Sequence, residues 1–342
     1  MQSIMAKKFN TRPDPTIFEN IIDSIGWTPL VRLRRVIPTE IKTKIYAKLE
    51  YLNPGGSVKD RVGVYMIQKA EQARIITPGM TIVEPSSGNT GVGLAIAAAQ
   101  KGYKLVITMP DKMSVEKVRL LEAYGAEVVI CPTAVEPDDP RSYYRMAETI
   151  AKERNGWVPN QYANPANPEI HYLSTGPEIW KQTGGKITHL VTSVGTGGTI
   201  TGCARFLKEK SRDIKVIGCD PVGSILTEAW SNPDRSYKAS LKTSYKLEGA
   251  GEDFIPATLD LDLIDKMLQF TDQDGFTMSR RLAKEEGILT GGTGGAAVHC
   301  TLKMKNELKP SDIVVIIFPD SGRNYISKMF NDEWMIKNGF KV

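Results

Sequence analysis

Apolar residues along the chain gather into short blocks that stop at turn residues. "TIVEPSSG", "KLVITMPD", "AEVVICPT", "HLVTSVGTGG", "KVIGCDP" and "DIVVIIFPDSG" are of this kind. Each is too short for a lone buried helix and rich in Val and Ile, so each predicts a strand buried on both faces. Between and before them run segments with a helical period: "VKDRVGVYMIQKAEQA", "TGVGLAIAAAQKG", "SVEKVRLLEAYG", "RSYYRMAETIAKERNG", "TITGCARFLKEKS" and "DGFTMSRRLAKEEG". Several close on Gly, as helix ends often do. In the first, Val58, Val62, Tyr65, Met66 and Ala70 share a face, and the S-x-x-D spacing of Ser57 and Asp60 predicts a cap at Ser57. Strand–helix alternation over most of the chain predicts a parallel α/β fold with helices on both faces. A break is expected near 155–170, where "NGWVPNQYANPANPE" is rich in Asn and Pro and lacks a period.

Composition narrows the class. The 342 residues suffice for one large domain or two ordinary ones, and 41% hydrophobic with 24% charged residues is a globular balance. A net charge of +5 without a dense basic block argues against nucleic acid as a partner. Cys131, Cys203, Cys219 and Cys300 are widely spaced, with no C-x-x-C and no Cys/His cluster. That argues against zinc or thioredoxin-like chemistry and fits a reducing compartment. His171, His189 and His299 share no metal spacing. The N-terminus lacks the apolar core of a signal peptide and no run approaches membrane-spanning length, so a cytoplasmic protein without a membrane partner is expected.

Candidate chemistry lies where the predicted strands end, which is where open α/β sheets bind ligands. "SVGTGGTITG" (Ser193–Gly202) places Gly195, Thr196, Gly197, Gly198 and Thr199 between a strand and a helix. That pattern makes a phosphate cup of backbone N–H groups at a helix start, or simply a tight turn. No Gly-Lys-Ser or Gly-Lys-Thr exists, which argues against a P-loop. A dinucleotide fingerprint would need Gly where Ile200 stands, although Asp220 ends the next strand, so a nicotinamide dehydrogenase remains an alternative. "SSGNTG" (Ser86–Gly91) is either a carboxylate nest or an ordinary helix start. "NPGGSVKDR" (Asn53–Arg61) puts Lys59 at the positive end of a helix, where a cation is disfavoured by about 0.3–1 kcal/mol. This pushes towards the free amine that a nucleophile requires, although a lone lysine is usually a solvated surface group. No G-x-S-x-G nucleophile motif is present. Together, an amine, a phosphate cup and a carboxylate nest are the parts that pyridoxal phosphate chemistry uses.

"NPGGSVKDR", "EPSSGNTG", "SVGTGGTITG" and "GGTGGAA", in this order and spacing, resemble the β-replacing pyridoxal enzymes of the tryptophan synthase β type, the cysteine synthase/cystathionine β-synthase family. The likeness runs from about Ile25 to Phe340. "MPDKMSVEKVRLLEAYGAEVV", "DPVGSIL", "LEGAGEDFIPATLD" and "PDSGRNYISKMFNDEWM" are more similar to the catalytic core of the cystathionine β-synthases than to cysteine synthases.

The resemblance implies pyridoxal 5′-phosphate, fold type II, and two three-layer α/β domains with mainly parallel sheets. A smaller, mobile domain at 50–160 would carry the Schiff-base lysine and the substrate loop. A larger one, 1–49 plus 161–342, would carry the phosphate loop, with no C-terminal regulatory domain. Lys59 is implied as the Schiff-base lysine and α-proton base, and Asn89 as partner of the ring hydroxyl. Gly195, Thr196, Gly197, Gly198 and Thr199 would bind phosphate, and Thr293 would face the pyridine nitrogen. Ser86, Ser87, Asn89 and Thr90 would take the substrate carboxylate, with Gln161 closing over it. The family usually has Ser at Thr293, and many members have Tyr at Glu252, so Glu252 is a candidate for a second substrate's ammonium. With no Cys or His before Cys131, no haem is expected.

The implied reaction is β-replacement on L-serine or an activated serine through an aminoacrylate, with a thiol adding, homocysteine first, to give cystathionine. Cysteine synthesis from O-acetylserine and sulfide, or a related sulfide-releasing or lanthionine-forming reaction, is the alternative. A homodimer with small amino-acid and thiol substrates is implied as well. Lys59→Ala is expected to abolish both the visible Schiff-base absorbance and turnover; steady-state activity with serine in that variant would refute the assignment.

Overall fold

The computed structural model describes residues 17–342 apart from 87, 112, 114, 137–138 and 238–244, so Ser87 of the expected substrate nest lies outside the described residues. Nine strands form two sheets among the described residues. They are β1 (Leu30–Arg32), β2 (Lys44–Leu49), β3 (Thr81–Pro85), β4 (Lys104–Pro110), β5 (Glu127–Cys131), β6 (His189–Ser193), β7 (Lys215–Pro221), β8 (Lys266–Phe270) and β9 (Ile313–Phe318). The larger sheet has the order β1-β2-β9-β6-β7-β8 and the smaller one β3-β4-β5. Every pairing is parallel except β1 with β2. The helices are α1 (Lys59–Gln72), α2 (Asn89–Lys101), α3 (Val115–Ala123), α4 (Tyr143–Glu153), α5 (Ala166–Ile170), α6 (Gly176–Gln182), α7 (Gly198–Lys210), α8 (Leu226–Ser231), α9 (Asp272–Arg281), α10 (Gly292–Lys303) and α11 (Asp332–Lys337).

The continuous apolar strands follow from helices on both faces of each sheet. Along β9, Val314, Ile316 and Phe318 pack with Val298 and Cys300 of α10. Val315 and Ile317 point the other way, onto Ile179 of α6 and Leu207 of α7. In the smaller sheet Ile82 and Ile107 meet α1 and α2, whereas Val83 and Val106 meet Ala147 and Ile150 of α4. The six expected strands are present, as β3, β4, β5, β6, β7 and β9. β1, β2 and β8 were not foreseen. β2 carries Lys48, which reads as surface yet is fully buried, and β8 is an edge strand with an exposed Gln269.

Two local expectations are corrected. Residues 166–182 are helical, as α5, a π-helical turn at His171–Thr175, and α6. Only the residues before them form the Asn/Pro-rich connection, and Asn164 Oδ1 accepts the Ala166 N–H to start α5. Ser57 is not the cap of α1. Val58 holds that position without a side-chain cap; Asp60 Oδ2 turns back to accept the Gly55 N–H at 2.6 Å, the Ser57 backbone is bridged to Asp320, and Ser57 Oγ reaches the Lys59 N–H at 3.2 Å from one residue outside the cap. Among the described residues no helix is long and apolar enough to cross a membrane.

α1 and α2 cross at unusually close range, and the crossing fixes Lys59. A Cβ on Gly93 would lie 2.3 Å from the Lys59 carbonyl oxygen, and one on Gly63 would lie 2.4 Å from the Gly93 carbonyl carbon. Neither neighbour is a side-chain tip that can yield, so both positions need Gly. Gly93→Ala is expected to push α2 off the first turn of α1 and cost about 1–3 kcal/mol, the range for overpacking a close contact. A thermal melt of the variant at or above the parent midpoint would contradict this crossing.

Candidate active site

Four glycine-rich segments converge at the carboxyl ends of the parallel strands. β3 leads to Ser86 and α2, β6 leads through Gly195–Gly197 to α7, and β9 leads to Asp320. Two isolated bridges, Ser57 with Asp320 and Thr290 with Ser321, pull the Lys59 loop and the start of α10 onto the segment after β9. The Val58 N–H also donates to the Pro319 carbonyl at 2.8 Å. Between these segments lies a cavity of about 80 Å³ lined by Lys59, Asn89, Gly195, Thr196, Gly197, Thr199 and Thr293. It opens into a cleft of about 840 Å³ that takes in Ser86, Thr90, Gln161 and Glu252. The expected site residues are thus brought together, with two exceptions. Ser87 is not described. Gly198 faces away, towards Asn167, whose Oδ1 would be 2.0 Å from a Cβ there. A separate surface cavity of about 500 Å³ holds Arg205 and Arg235, but each is paired, with Asp260 and Asp262 respectively, and none of the candidate residues lines it.

The Lys59 amine donates to Thr196 Oγ1 at 3.2 Å. Burial lowers its pKa from 10.5 to about 8, although Glu252 and Glu84 oppose the shift. Glu84, at the end of β3, accepts N–H groups from Asn160 at 2.9 Å and Gln161 at 3.1 Å. Burial still raises it to about 7. Burial, helped by Asp253, raises Glu252 to about 8. The amine therefore faces carboxyl groups that are themselves reluctant to ionise, and its neutral form is accessible near physiological pH.

The surroundings hold the cup at Gly195–Thr199 by side chains that sequence reasoning did not single out. Asn167 Nδ2 donates to Thr196 Oγ1 at 3.1 Å and to the Gln161 carbonyl at 2.8 Å. Thr258 Oγ1 donates to the Thr196 carbonyl at 2.5 Å. His171, in the π-helical turn, spans Thr175 Oγ1 at 2.9 Å and Thr199 Oγ1 at 3.2 Å. Burial lowers its pKa to about 3, so the ring is neutral. The N–H groups of the first turn of α7 lack intrahelical acceptors, so an anion is favoured there. On the substrate side, Ser86 Oγ accepts the Gly88 and Gly91 N–H groups at 3.3 and 3.2 Å. Thr90 Oγ1 donates to Gln161 Oε1 at 2.6 Å. At the mouth, Glu248 pairs with Lys117 of α3 and with Lys328, the latter at 2.6 Å.

Beneath α1 lies a buried cluster of charges. Arg61 Nε meets Glu50 Oε2 at 2.8 Å and its Nη1 meets Glu178 Oε1 at 2.6 Å. Lys48 Nζ meets Glu178 Oε2 at 2.6 Å, and Thr28 Oγ1 donates to Glu50 Oε1 at 2.6 Å. These side chains join β2, α1 and α6 two residues from Lys59. Only the "KDR" spacing was available to flag them, and charged pairs at opposite ends of a sequence carry no local signal.

Comparison with known proteins identifies relatives. The family described as "Pyridoxal-phosphate dependent enzyme" matches residues 21–320. The chain is similar to cystathionine beta-synthase of Rattus norvegicus, with 47% identity over 328 residues, 95% of this chain and 58% of that protein. It thus spans less than two thirds of that relative. Cysteine synthase of Staphylococcus aureus (strain Mu50) is 43% identical over 311 residues, covering 90% of this chain and 96% of that protein. Among solved structures, cysteine synthase from Entamoeba histolytica superposes with a TM-score of 0.84 at 37% identity, covering 93% of this chain and 91% of that one.

The charge cluster generates a stability prediction. Arg61→Met leaves Glu50 and Glu178 with Lys48 as their remaining cation in the cluster, and is expected to cost about 3–5 kcal/mol in urea unfolding. The pH dependence has two opposite parts. Glu50 is lowered from 4.5 to about 2, with the Arg61 charge the main lowering influence against burial, so its stabilisation is present above pH 4.5 and lost as pH falls towards 2. Burial raises Glu84 and Asp60 to about 7, so their contribution is full below their ordinary values of 4.5 and 3.8 and lost as pH rises through 7. For these groups stability of the parent protein peaks at about pH 4.5, and Arg61→Met should flatten the acid limb while leaving the alkaline one. An unchanged acid limb in urea midpoints measured against pH would overturn this.

Proposed function

The chain belongs to the pyridoxal-phosphate dependent enzyme family, and on that premise we propose that it replaces the β-substituent of L-serine, or of an activated serine, with a thiol. Homocysteine is the first choice, so that serine's Cβ–O bond breaks, a Cβ–S bond forms and cystathionine results with release of water. The residues fit the cofactor. Gly195, Thr196, Gly197 and Thr199 line the small cavity at the start of α7, where N–H groups without intrahelical acceptors suit a phosphate, and glycine at 195 and 197 lets the loop pack against Gly249 and Leu259, which a Cβ would strike. An amine, an amide and a hydroxyl, of Lys59, Asn89 and Thr293, line the same cavity. When bound, pyridoxal phosphate supplies an aldehyde for amines and a conjugated ring that accepts electron density from the substrate's Cα.

In this reading Lys59 holds the cofactor covalently and, once displaced by substrate, carries the Cα proton on Nζ. With a pKa of about 8, about a tenth of the free amine is neutral at pH 7, far more than an ordinary lysine offers. Gly195, Thr196, Gly197 and Thr199 hold the phosphate, and Asn167 and neutral His171 keep the two threonine hydroxyls in place. Asn89 serves the ring hydroxyl. Thr293 serves the ring nitrogen, and a hydroxyl there leaves the ring a weaker electron sink than a carboxylate would, which suits elimination and addition at Cβ. Ser86, Ser87, Asn89 and Thr90 hold the substrate carboxylate, with Gln161 braced by Thr90. The unit at 50–160 is proposed to close on the rest of the chain and exclude water; its support is its own sheet and two apolar cores drawn mostly from it, one of which Ala166 and Ile170 of α5 join. Four buried free thiols fit a cytoplasmic setting. Pairing of two copies rests on the resemblance alone.

The observation that carries the choice of acceptor is Glu252. It lines the cleft beyond Lys59 together with Tyr143, Tyr144 and Tyr162, in a space of about 840 Å³ that sulfide does not need. A carboxyl raised to about 8 by burial ionises readily when an ammonium group arrives beside it, so the site favours a thiol that is itself an amino acid. The staphylococcal relative, matched over nearly its whole length, favours the second reading, cysteine synthesis from O-acetylserine and sulfide. One experiment separates them: kcat/KM for serine and O-acetylserine, each with homocysteine, cysteine and sulfide. Serine with homocysteine is expected to lead. Glu252→Gln should raise the KM for homocysteine about tenfold and leave the spectral titration with serine alone unchanged. Preference for O-acetylserine with sulfide, together with a silent Glu252→Gln, would replace the first reading by the second.

A further inference from the structure

Asp320 lies two residues after the end of β9 and is 4% exposed. It lines the small cavity together with Lys59, Asn89 and Thr293. Its Oδ2 accepts two hydrogen bonds, from Asn89 Nδ2 at 2.9 Å and from Tyr325 Oη at 2.6 Å. Its Oδ1 is buried and has no hydrogen-bond partner among the described residues. That oxygen lies against Gly291, where a Cβ would come within 2.0 Å. The backbone of Asp320 is pinned by the Gly291 N–H, which donates to its carbonyl at 3.0 Å, and by the bridge to Ser57. The carboxyl group is therefore fixed from both sides.

The consequence falls on Asn89. A side-chain amide offers two N–H donors and one acceptor oxygen. Asp320 takes one N–H, and the Asn89 Oδ1 accepts from Asn324 Nδ2 at 3.4 Å. The second N–H is left for the cavity. Flipping the amide would set Asn89 Oδ1 against Asp320 Oδ2, two acceptors face to face, and would free its NH₂ from both partners. We propose that Asp320 is a positioning residue that locks the Asn89 amide as a donor, so that the cofactor's ring oxygen is held in its ionised form. The inference rests on the reading of Asn89 given above. The other charged and titratable groups around Asp320 are Tyr325, Lys117 and Glu248; all three line the cleft, and none of them donates to Asn89.

The test uses four proteins: the parent, Asn89→Ala, Asp320→Asn and the double variant. The readouts are the dissociation constant of pyridoxal phosphate and the absorbance of the holoprotein without substrate. Asp320→Asn presents a group that can itself donate and so releases the amide. Each single variant is expected to weaken cofactor binding about tenfold, the effect of one hydrogen bond. Each should also move part of the visible absorbance into the near-ultraviolet, where the un-ionised ring absorbs. The double variant should be no worse than Asn89→Ala. A parent-like Asp320→Asn, or effects that simply multiply in the double variant, would overturn the role of Asp320 while leaving that of Asn89 intact. A parent-like Asn89→Ala would instead overturn the reading of Asn89 itself. If melting of the apoprotein shows that Asp320→Asn does not fold, Tyr325→Phe removes the other hydrogen bond on Oδ2. Its smaller shift in the same direction should vanish in the Asn89→Ala background, and persistence there would count against the proposal.

Discussion

A guanidinium buried two residues after Lys59 needs every carboxylate oxygen it meets, and meeting them fixes where several elements join. Arg61 binds Glu50, at the end of β2, and Glu178, on α6, and Glu178 is shared with Lys48. Removing one partner from such a cluster leaves a bare charge in the interior, so its geometry has little freedom to drift. The cluster sits under the first turn of α1, while the α2 backbone presses on the Lys59 carbonyl from the side. The position of one amine is thus set by ion pairs below it and by two glycines beside it, before any ligand is considered.

The same burial that costs energy makes the chemistry possible. Lys59, Glu84 and Glu252 each have their charged forms disfavoured by loss of solvent, and their mutual attraction only partly offsets this. A site built this way stays near neutrality until a charged substrate arrives. The anion end is handled separately, by helix N–H groups and by hydroxyls that Asn167 and a neutral His171 hold still. On the proposed roles, the Lys59 amine and a bound phosphate therefore do not compete for the same counter-charges.

Much of this was legible in the sequence, for identifiable reasons. Val/Ile runs ending in turn residues revealed the strands that are covered on both faces, and the glycine-rich segments marked the strand ends that line the cleft. Lys59 stood out only beside the glycine-rich segments, since a lone lysine at a helix start reads as a solvated surface group. What stayed hidden was polar residues doing interior work. Lys48 concealed β2, since a buried paired lysine looks like a surface one. Asp60 and Ser57 spelled a capping box, but the Asp60 side chain turns to the Gly55 N–H, and Ser57, its backbone bridged to Asp320, sits one residue before the cap with its hydroxyl on the Lys59 N–H. Asn167, His171, Glu84 and Asp320 act through hydrogen bonds to residues that include distant ones, and spacing along the chain holds no record of those. The π-helical turn at His171–Thr175 likewise has no period a sequence can display.

The two sets of ion pairs differ in what the medium can do to them. Arg61 and Glu50 are sealed, with side chains 2% and 0% exposed, whereas Lys328 and Glu248 at the cleft mouth are 25% and 19% exposed. Mobile ions screen charge over about 8 Å at physiological ionic strength, but only where they can reach. Dissolved salt therefore loosens the Lys328–Glu248 pair at the cleft mouth without touching the frame under α1. The solvent gains a dial on the rim of the cleft, while the Lys59 amine keeps its place.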